Sequence, residues 1–246
     1  METTEQAAWD QRYSGPDLVW GAGPNRFVTE EVTALPAGRA IDLGTGEGRN
    51  AIWLAERGWR VTAVDFSAAG LARAVRLAAE RGVSVDWVQA DLLDYQPAPG
   101  GYDLVLIAYI HLPAAGLARV FRAAAAAVAP GGTLLVIGHD RDNITRGHGG
   151  PQDPDRLYTP GEVTAELDGL TVRRAEQVMR PVRVPEGERT AIDTLVRAER
   201  PGIAPRGLPR RGCDLRDEPA QVLASALQLG RRQMTATLRR PPGRVF

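Results

Sequence analysis

The chain has 246 residues, enough for one sizeable domain plus an extension. Its 30 basic residues are all arginine and equal its 30 acids, but residues 1–200 hold 21 Arg against 27 acids while residues 201–246 hold 9 against 3. An acidic body argues against a nucleic-acid substrate lying along the main domain, because phosphate binding needs a basic surface.

The single cysteine, Cys213, excludes an internal disulfide. The start, Met1-Glu-Thr-Thr-Glu5, is acidic and lacks an apolar core, and no apolar run has the length of a bilayer span. The expectation is a cytoplasmic protein with no membrane span.

Taken in order, residues 1–38 form an N-terminal segment with Trp9, Tyr13, Trp20 and Asn25-Arg26-Phe27. These aromatics suit either of two roles, fastening the terminus to the body or closing over a ligand as a lid. From Arg39 to Gly138 short apolar runs alternate with helical periodicity. Strands are expected at 40–43, 61–64, 83–88, 102–108 and 133–137, and helices at 50–57, 68–80 (capped by Ser67) and 117–128, the last stopped by Pro130-Gly-Gly132. Nearly all-apolar strands alternating with helices imply a parallel sheet covered on both faces.

Residues 140–158 form a polar Gly/Pro-rich loop, longer than a connector needs. Thr159-Pro160 opens a helix through Leu167. Two further strands, 170–178 and 190–197, are joined as a hairpin by Pro185-Glu-Gly-Glu188. Residues 201–217 read as irregular and 219–238 as one helix. The expected division is residues 1–38 as N-terminal segment or lid, 39–198 as the main domain, and 199–246 as a Pro/Arg-rich tail, partly disordered or one helix.

The chemistry concentrates at strand ends. Asp42-Leu-Gly44-Thr-Gly46-Glu-Gly48 follows the first strand, Asp65-Phe66 ends the second, and Asp91-Leu92 follows the third. Open parallel sheets bind ligands beyond the carboxyl ends of their strands, where chain order reverses. A bare glycine turn there lets backbone approach a ligand. Asp65 suits two ribose hydroxyls, with Phe66 beside it; Asp91 and Leu92 suit an adenine edge; Asp42 and the turn suit an amino-acid tail. S-adenosylmethionine fits all of these features. A nicotinamide dinucleotide is the rival, disfavoured by the Gly-x-Gly-x-Gly spacing and by Asp42 near a pyrophosphate. A nucleoside triphosphate loop fails for want of its lysine.

Asp42-x-Gly44-x-Gly46-x-Gly48, Asp65, Ala90-Asp91-Leu92, Tyr102-Asp-Leu-Val105 and Ala129-Pro-Gly-Gly132 resemble the ordered motifs of class I S-adenosylmethionine-dependent methyltransferases, over about residues 5–198. Trp9-Asp-Gln-Arg-Tyr13 and Val19-Trp-Gly-Ala-Gly-Pro-Asn25 resemble the small-molecule branch related to tellurite-resistance and thiopurine methyltransferases. The resemblance implies a Rossmann-like, doubly wound α/β fold. Its seven-stranded sheet would be mostly parallel with the last strand antiparallel, followed here by a C-terminal extension.

Methyl transfer from a sulfonium is an in-line displacement in which the enzyme mainly supplies alignment. A base is needed only if the small-molecule acceptor must lose a proton. The catalytic candidates at the ends of the fourth and fifth strands are Tyr109, His111 and Asp140, and Trp20, His139 and Arg156 are expected to line the acceptor pocket. His111 offers a base, although His-Leu-Pro also serves to turn the chain with the imidazole bonded to backbone. Three histidines and one distant cysteine give no zinc spacing, so no metal is expected. Two alternatives stand beside methyl transfer: a catalytically silent cofactor-binding module, and a nicotinamide-dependent dehydrogenase. A third reading has the arginine-rich tail direct the enzyme to a phosphate-bearing surface.

Overall fold

Apolar runs with no polar face are stable only between two covering layers, and the strands Arg39–Leu43, Arg60–Asp65, Tyr102–Ala108 and Val128–His139 form the inner strands of the parallel part of the sheet, with the less apolar Asp86–Gln89 at its edge. In the computed structural model the described residues are 4–202, apart from Glu186; the expectations for the tail beyond Gly202 fall outside them. The strands are β1 (Arg39–Leu43), β2 (Arg60–Asp65), β3 (Asp86–Gln89), β4 (Tyr102–Ala108), β5 (Val128–His139), β6 (Thr171–Val184) and β7 (Gly187–Glu199). The helices are α1 (Thr4–Tyr13), α2 (Arg26–Val32), α3 (Arg49–Glu56), α4 (Ala68–Glu80), α5 (Ala114–Ala127) and the short α6 (Asn143–Arg146) and α7 (Pro160–Thr164).

The strands make one seven-stranded sheet in the order β3-β2-β1-β4-β5-β7-β6. β1 to β5 pair in parallel, and β7 is antiparallel to both its neighbours. This is the Rossmann-like doubly wound architecture expected from the resemblance. Chain order reverses between β1 and β4, which puts the crevice beyond their carboxyl ends. Alternation along the strands builds two cores. Ile41, Val105, Ile107 and Val136 pack under α5 and α7, whereas Ala40, Leu104, Leu106 and Ile137 pack under α2 and α3.

Several boundaries differ from expectation for local reasons. β3 starts at Asp86, not Val83, because Val83 N–H closes the end of α4 on Ala78 O at 3.0 Å. β5 starts at Val128 and runs through Pro130-Gly-Gly132, whose backbone bonds Arg200 on both sides. Helix α7 stops at Thr164 after its Thr159–Glu162 capping box, well short of Leu167. β6 extends to Val184 and includes Pro181, which an edge strand tolerates because alternate N–H groups there face away from its one neighbour. Among the described residues no helix is long and apolar enough to cross a membrane.

Gly48 is a packing residue. It has a φ of 77°, and a Cβ there would sit 2.8 Å from both Ala74 Cβ and Trp87 Cη2. Gly48→Ala therefore combines left-handed strain with overpacking and should cost about 2–4 kcal/mol in urea unfolding. A loss below about 0.5 kcal/mol would show that α4 and Trp87 yield freely.

Candidate active site

The turn after β1 is held from below by β2. Gly44 N–H and Thr45 N–H both donate to Val64 O, at 2.8 and 3.0 Å. Asp65, at the end of β2, accepts Gly46 N–H at 2.8 Å and Ser67 N–H at 2.9 Å. Burial pushes Asp65 up, against these backbone bonds. Asp42 is fully enclosed, accepts Thr45 Oγ1 at 2.7 Å, and is pushed up to about 6 by burial.

Two adjoining compartments open above this turn, of about 310 and 360 Å³. The first is lined by Asp65 and Phe66 from β2, Asp91 and Leu92 after β3, and Ile110 and Leu112 after β4. The second is lined by Gly46, Arg49, Asn25, Trp20, His139 and Arg180. Trp9, Tyr13, Gly44, Tyr109 and His111 line both. Gly46, Asp65 and Asp91 thus border one continuous hollow, as the sequence motifs require.

The compartments are opposite in charge. Asp65, Asp91 and Glu5 line the first, while the second has Arg26, Arg49 and Arg180 and no carboxylate in its wall. Arg49 donates to Trp20 O at 3.1 Å, and burial pushes its guanidinium down, against the favourable pull of Tyr109 and Asp42. A hydroxyl-rich nucleoside suits the acidic half and a carboxylate suits the cationic half, so the residues fit S-adenosylmethionine.

The far wall carries a polar cluster that sequence reading did not foresee. Asp193 lies directly opposite His139 in the β5–β7 ladder, with Asp193 Oδ1 3.1 Å from the buried His139 Nδ1, an ion-pair distance that does not complete a hydrogen bond. Its Oδ2 accepts Tyr109 Oη at 2.6 Å and Arg180 Nε at 2.6 Å. Despite burial, His139 and Arg180 hold Asp193 below the usual carboxylate range. Tyr109 sits at a φ of 60°, unusual for a residue other than glycine, with its ring edge-on to His139 at 5.0 Å. His111 stacks on His139 with centroids 5.6 Å apart; burial and then His139 push it down to about 4, so it is neutral near pH 7. Its Nδ1 is buried with no hydrogen-bond partner among the described residues, while a hydrogen bond with the backbone of Arg156 pulls its value the other way.

Five sequence assignments are corrected. Asp140 is fully buried, its oxygens committed to Asp142 N–H, Gln177 Nε2 and Thr194 Oγ1, and it lines neither compartment. Arg156 stands outside the hollow, donating to Glu5 at 2.6 Å and to His111 O at 3.0 Å. Gly48 packs against α4 rather than facing the hollow. Tyr109 does face it, but burial and Asp193 push its phenol up and its proton is committed to Asp193, so it offers no base. Asp42 lines neither compartment and acts through the turn it holds. Among the described residues no group of three or more His, Cys, Asp or Glu is placed to hold a metal ion.

The N-terminal segment is fastened to the body beside the hollow. Gln6 Nε2 donates to Phe66 O at 3.0 Å, and Asp10 accepts Ala69 N–H at 2.9 Å at the start of α4. So fixed, α1 presents Trp9 and Tyr13 to both compartments. Glu47, between the motif glycines, accepts Val19 and Trp20 N–H at 3.0 and 3.3 Å and Arg73 Nη1 at 2.6 Å. Arg73 also donates to Asp17 O at 2.7 Å and to Gly15 O.

Residues 40–132 match the family model described as "Methyltransferase domain". The "Demethylmenaquinone methyltransferase" of Thermus thermophilus is 35% identical over 125 residues, 50% of this chain and 55% of that protein. The chain spans about half the length of the curated relatives it matches. Among solved structures, N-methyltransferase NodS of Bradyrhizobium japonicum, in complex with S-adenosyl-L-homocysteine, superposes with a TM-score of 0.62 at 16% identity, over 81% of this chain and 100% of that one. A second, solved in work on conversion of a disulfide bond into a thioacetal group during echinomycin biosynthesis, gives a TM-score of 0.65 at 21% identity over 80% and 93%. Fold, glycine turn and strand-end acids define the class I S-adenosylmethionine-dependent methyltransferases. The match to a methyltransferase domain is confined to residues 40–132, which carry the glycine turn, Asp65 and Asp91. These relatives do not single out the tellurite-resistance and thiopurine branch.

Two outcomes follow from this geometry. Between about pH 4 and pH 6 the folded state holds a proton on Asp42 that the unfolded chain, with a value of 3.8, releases. Stability from this group therefore falls as pH rises through that window, by about 3 kcal/mol. Asp42→Asn should flatten the fall and raise the melting temperature of the ligand-free protein at pH 7. The His111 contribution has the opposite sign and is common to both proteins, so their difference curve isolates Asp42; a difference curve without slope contradicts the assignment. Arg73→Met strands Glu47 as a buried unpaired charge, and should cost about 3–5 kcal/mol and speed amide exchange at Val19 and Trp20 more than tenfold. Unchanged exchange at those two amides would detach the cover from the turn.

Proposed function

We propose that the protein transfers a methyl group from S-adenosylmethionine to a small-molecule acceptor. The observation that carries this reading is the polarised pair of compartments meeting over the glycine turn at the β1/β4 reversal. Asp65 would hold the ribose hydroxyls, Phe66 and Leu92 would flank the base, and Asp91 would read its edge. Gly44 and Gly46 admit the methionine backbone, and Arg49 meets its carboxylate. When bound, S-adenosylmethionine supplies a methyl carbon already activated on a sulfonium. What this chain adds is alignment, exclusion of water by α1, and an aromatic wall of Trp9, Tyr13 and Trp20 suited to a cation.

The second compartment, at about 360 Å³, would take the methionine end of the cofactor at Arg49 and the acceptor beside His139, so the room left suits a small acceptor rather than a duplex or a folded protein. It also counts against a silent binding module, whose acceptor side would be filled. His111 and His139 are the imidazoles that line that side.

Titration calorimetry with S-adenosylmethionine tests the reading. Asp65→Ala removes charge-assisted hydrogen bonds and should weaken binding at least about 100-fold. Circular dichroism should still show the folded spectrum, with a lower melting temperature because Gly46 and Ser67 N–H lose their acceptor. Equal affinity in the variant, or tighter binding of a nicotinamide dinucleotide to the natural chain, would refute it.

A further inference from the structure

We propose that His139 is the proton acceptor of the reaction, positioned by Asp193, and that the methyl acceptor is a small molecule with an O–H or S–H nucleophile. This rests on the methyl-transfer reading above and deepens it.

The ladder register makes the pair. His139 closes β5, and Asp193 faces it across the antiparallel β5–β7 pairing, so both side chains leave the same face of the sheet. Asp193 has no exposed surface, and two donors, Tyr109 Oη and Arg180 Nε, keep it ionised. The Asp193 oxygen lies 3.1 Å from the buried Nδ1 without completing a hydrogen bond, and an ionised carboxylate at that distance favours the tautomer that carries the proton on Nδ1 over one with a lone pair there. Nε2 then holds the lone pair, and no described residue takes a hydrogen bond from it or gives one to it. His139 lines the second compartment beside Arg49 and Tyr109, where an acceptor would enter.

His111 lacks these supports. It stacks on His139 with no carboxylate beside it, so a proton gained there would stay uncompensated. The groups facing His139 are Asp193, Tyr109, His111 and Arg180, together with the backbone of Gly150, where a Cβ would fall 2.9 Å from Nε2. Tyr109 holds a strained φ of 60° at this point, as expected where a site fixes a side chain at a cost of about 1–3 kcal/mol.

His139 Nε2 takes the proton of the acceptor O–H or S–H as that oxygen or sulfur forms its bond to the methyl carbon. The electron pair of the broken carbon–sulfur bond stays with the departing sulfur, and the imidazolium is balanced by Asp193. Such chemistry excludes acceptors without a removable proton.

The chain has three histidines, so long-range proton–nitrogen spectra of its labelled rings are simple to assign with His111→Gln, His139→Gln and His148→Gln. At a pH of about 8, where an ordinary imidazole is neutral, His139 should show a protonated Nδ1 and a pyridine-like Nε2. Asp193→Asn should shift it toward the other tautomer or a mixture. A natural chain with the proton on Nε2 overturns the proposal, as does a tautomer that ignores Asp193→Asn. Calorimetry separates this from the broader reading: His139→Gln should bind S-adenosylmethionine within about threefold of the natural chain, a difference below about 0.7 kcal/mol. Loss of binding in the natural chain would instead strike the methyl-transfer reading and leave the tautomer result standing.

Discussion

One buried ion pair ties the ligand turn to the segment that covers it. Glu47 occupies the middle of the glycine turn, and its 2.6 Å contact with Arg73 leaves its other lone pairs to Val19 and Trp20. Both charges are withdrawn from water, at a desolvation cost that the attraction roughly offsets, so the pair adds little net stability. Its value is geometric. Gly44 and Gly46 have φ of 78° and 55° and impose little conformation of their own. Glu47 and Asp65 supply it, one from above through the strap and one from below through β2. Because the same carboxylate serves turn and cover, displacing one disturbs the other.

The hollow is held in an electrostatic state that suits a ligand better than it suits the empty protein. Burial works against charge on both Asp42 and Arg49, and each is the other's partial remedy through space. An anionic group beside Arg49 would relieve part of this, so occupancy and stability are linked. Natural proteins commonly give up stability at such places for function. The division into acidic and cationic halves also orients a ligand that is a nucleoside at one end and an amino acid at the other.

The cofactor half was legible because its parts are local. Asp42 to Gly48 is one continuous turn, and Asp65 and Asp91 each follow a strand whose apolar run marks its end. The acceptor half is assembled by pairing between distant segments. Asp193 is the one acid in the run Ala191–Val196 of β7, and only the β5–β7 register shows that it faces His139. Adjacency misled in the other direction at Asp140. It follows His139 in the chain, but successive side chains at a strand end face opposite ways, and Asp140 turns toward Thr194 and Gln177. Helix α1 escaped notice because it is held by polar contacts to Phe66 and Ala69 rather than by an apolar stripe.

The reversed strand explains how one sheet separates the two tasks. Parallel strands all deliver their carboxyl ends to the crevice, so that wall is built from the segments that follow them, those after β1 and β2 leaving into α3 and α4 and the one after β3 returning directly to β4. β7 enters from the opposite direction, and the β6–β7 ladder runs on past His139, pairing Arg180 with Ala191 and ending at Val184 and Gly187. This overhanging hairpin brings Arg180 and Asp193 to the acceptor side without taking a residue from the glycine turn or the ribose acids. Changes in its length or side chains alter the acceptor wall while Asp65, Asp91 and Gly44 keep their places. A fold so arranged can change what it methylates without rebuilding how it holds the donor, the condition under which one architecture serves many substrates.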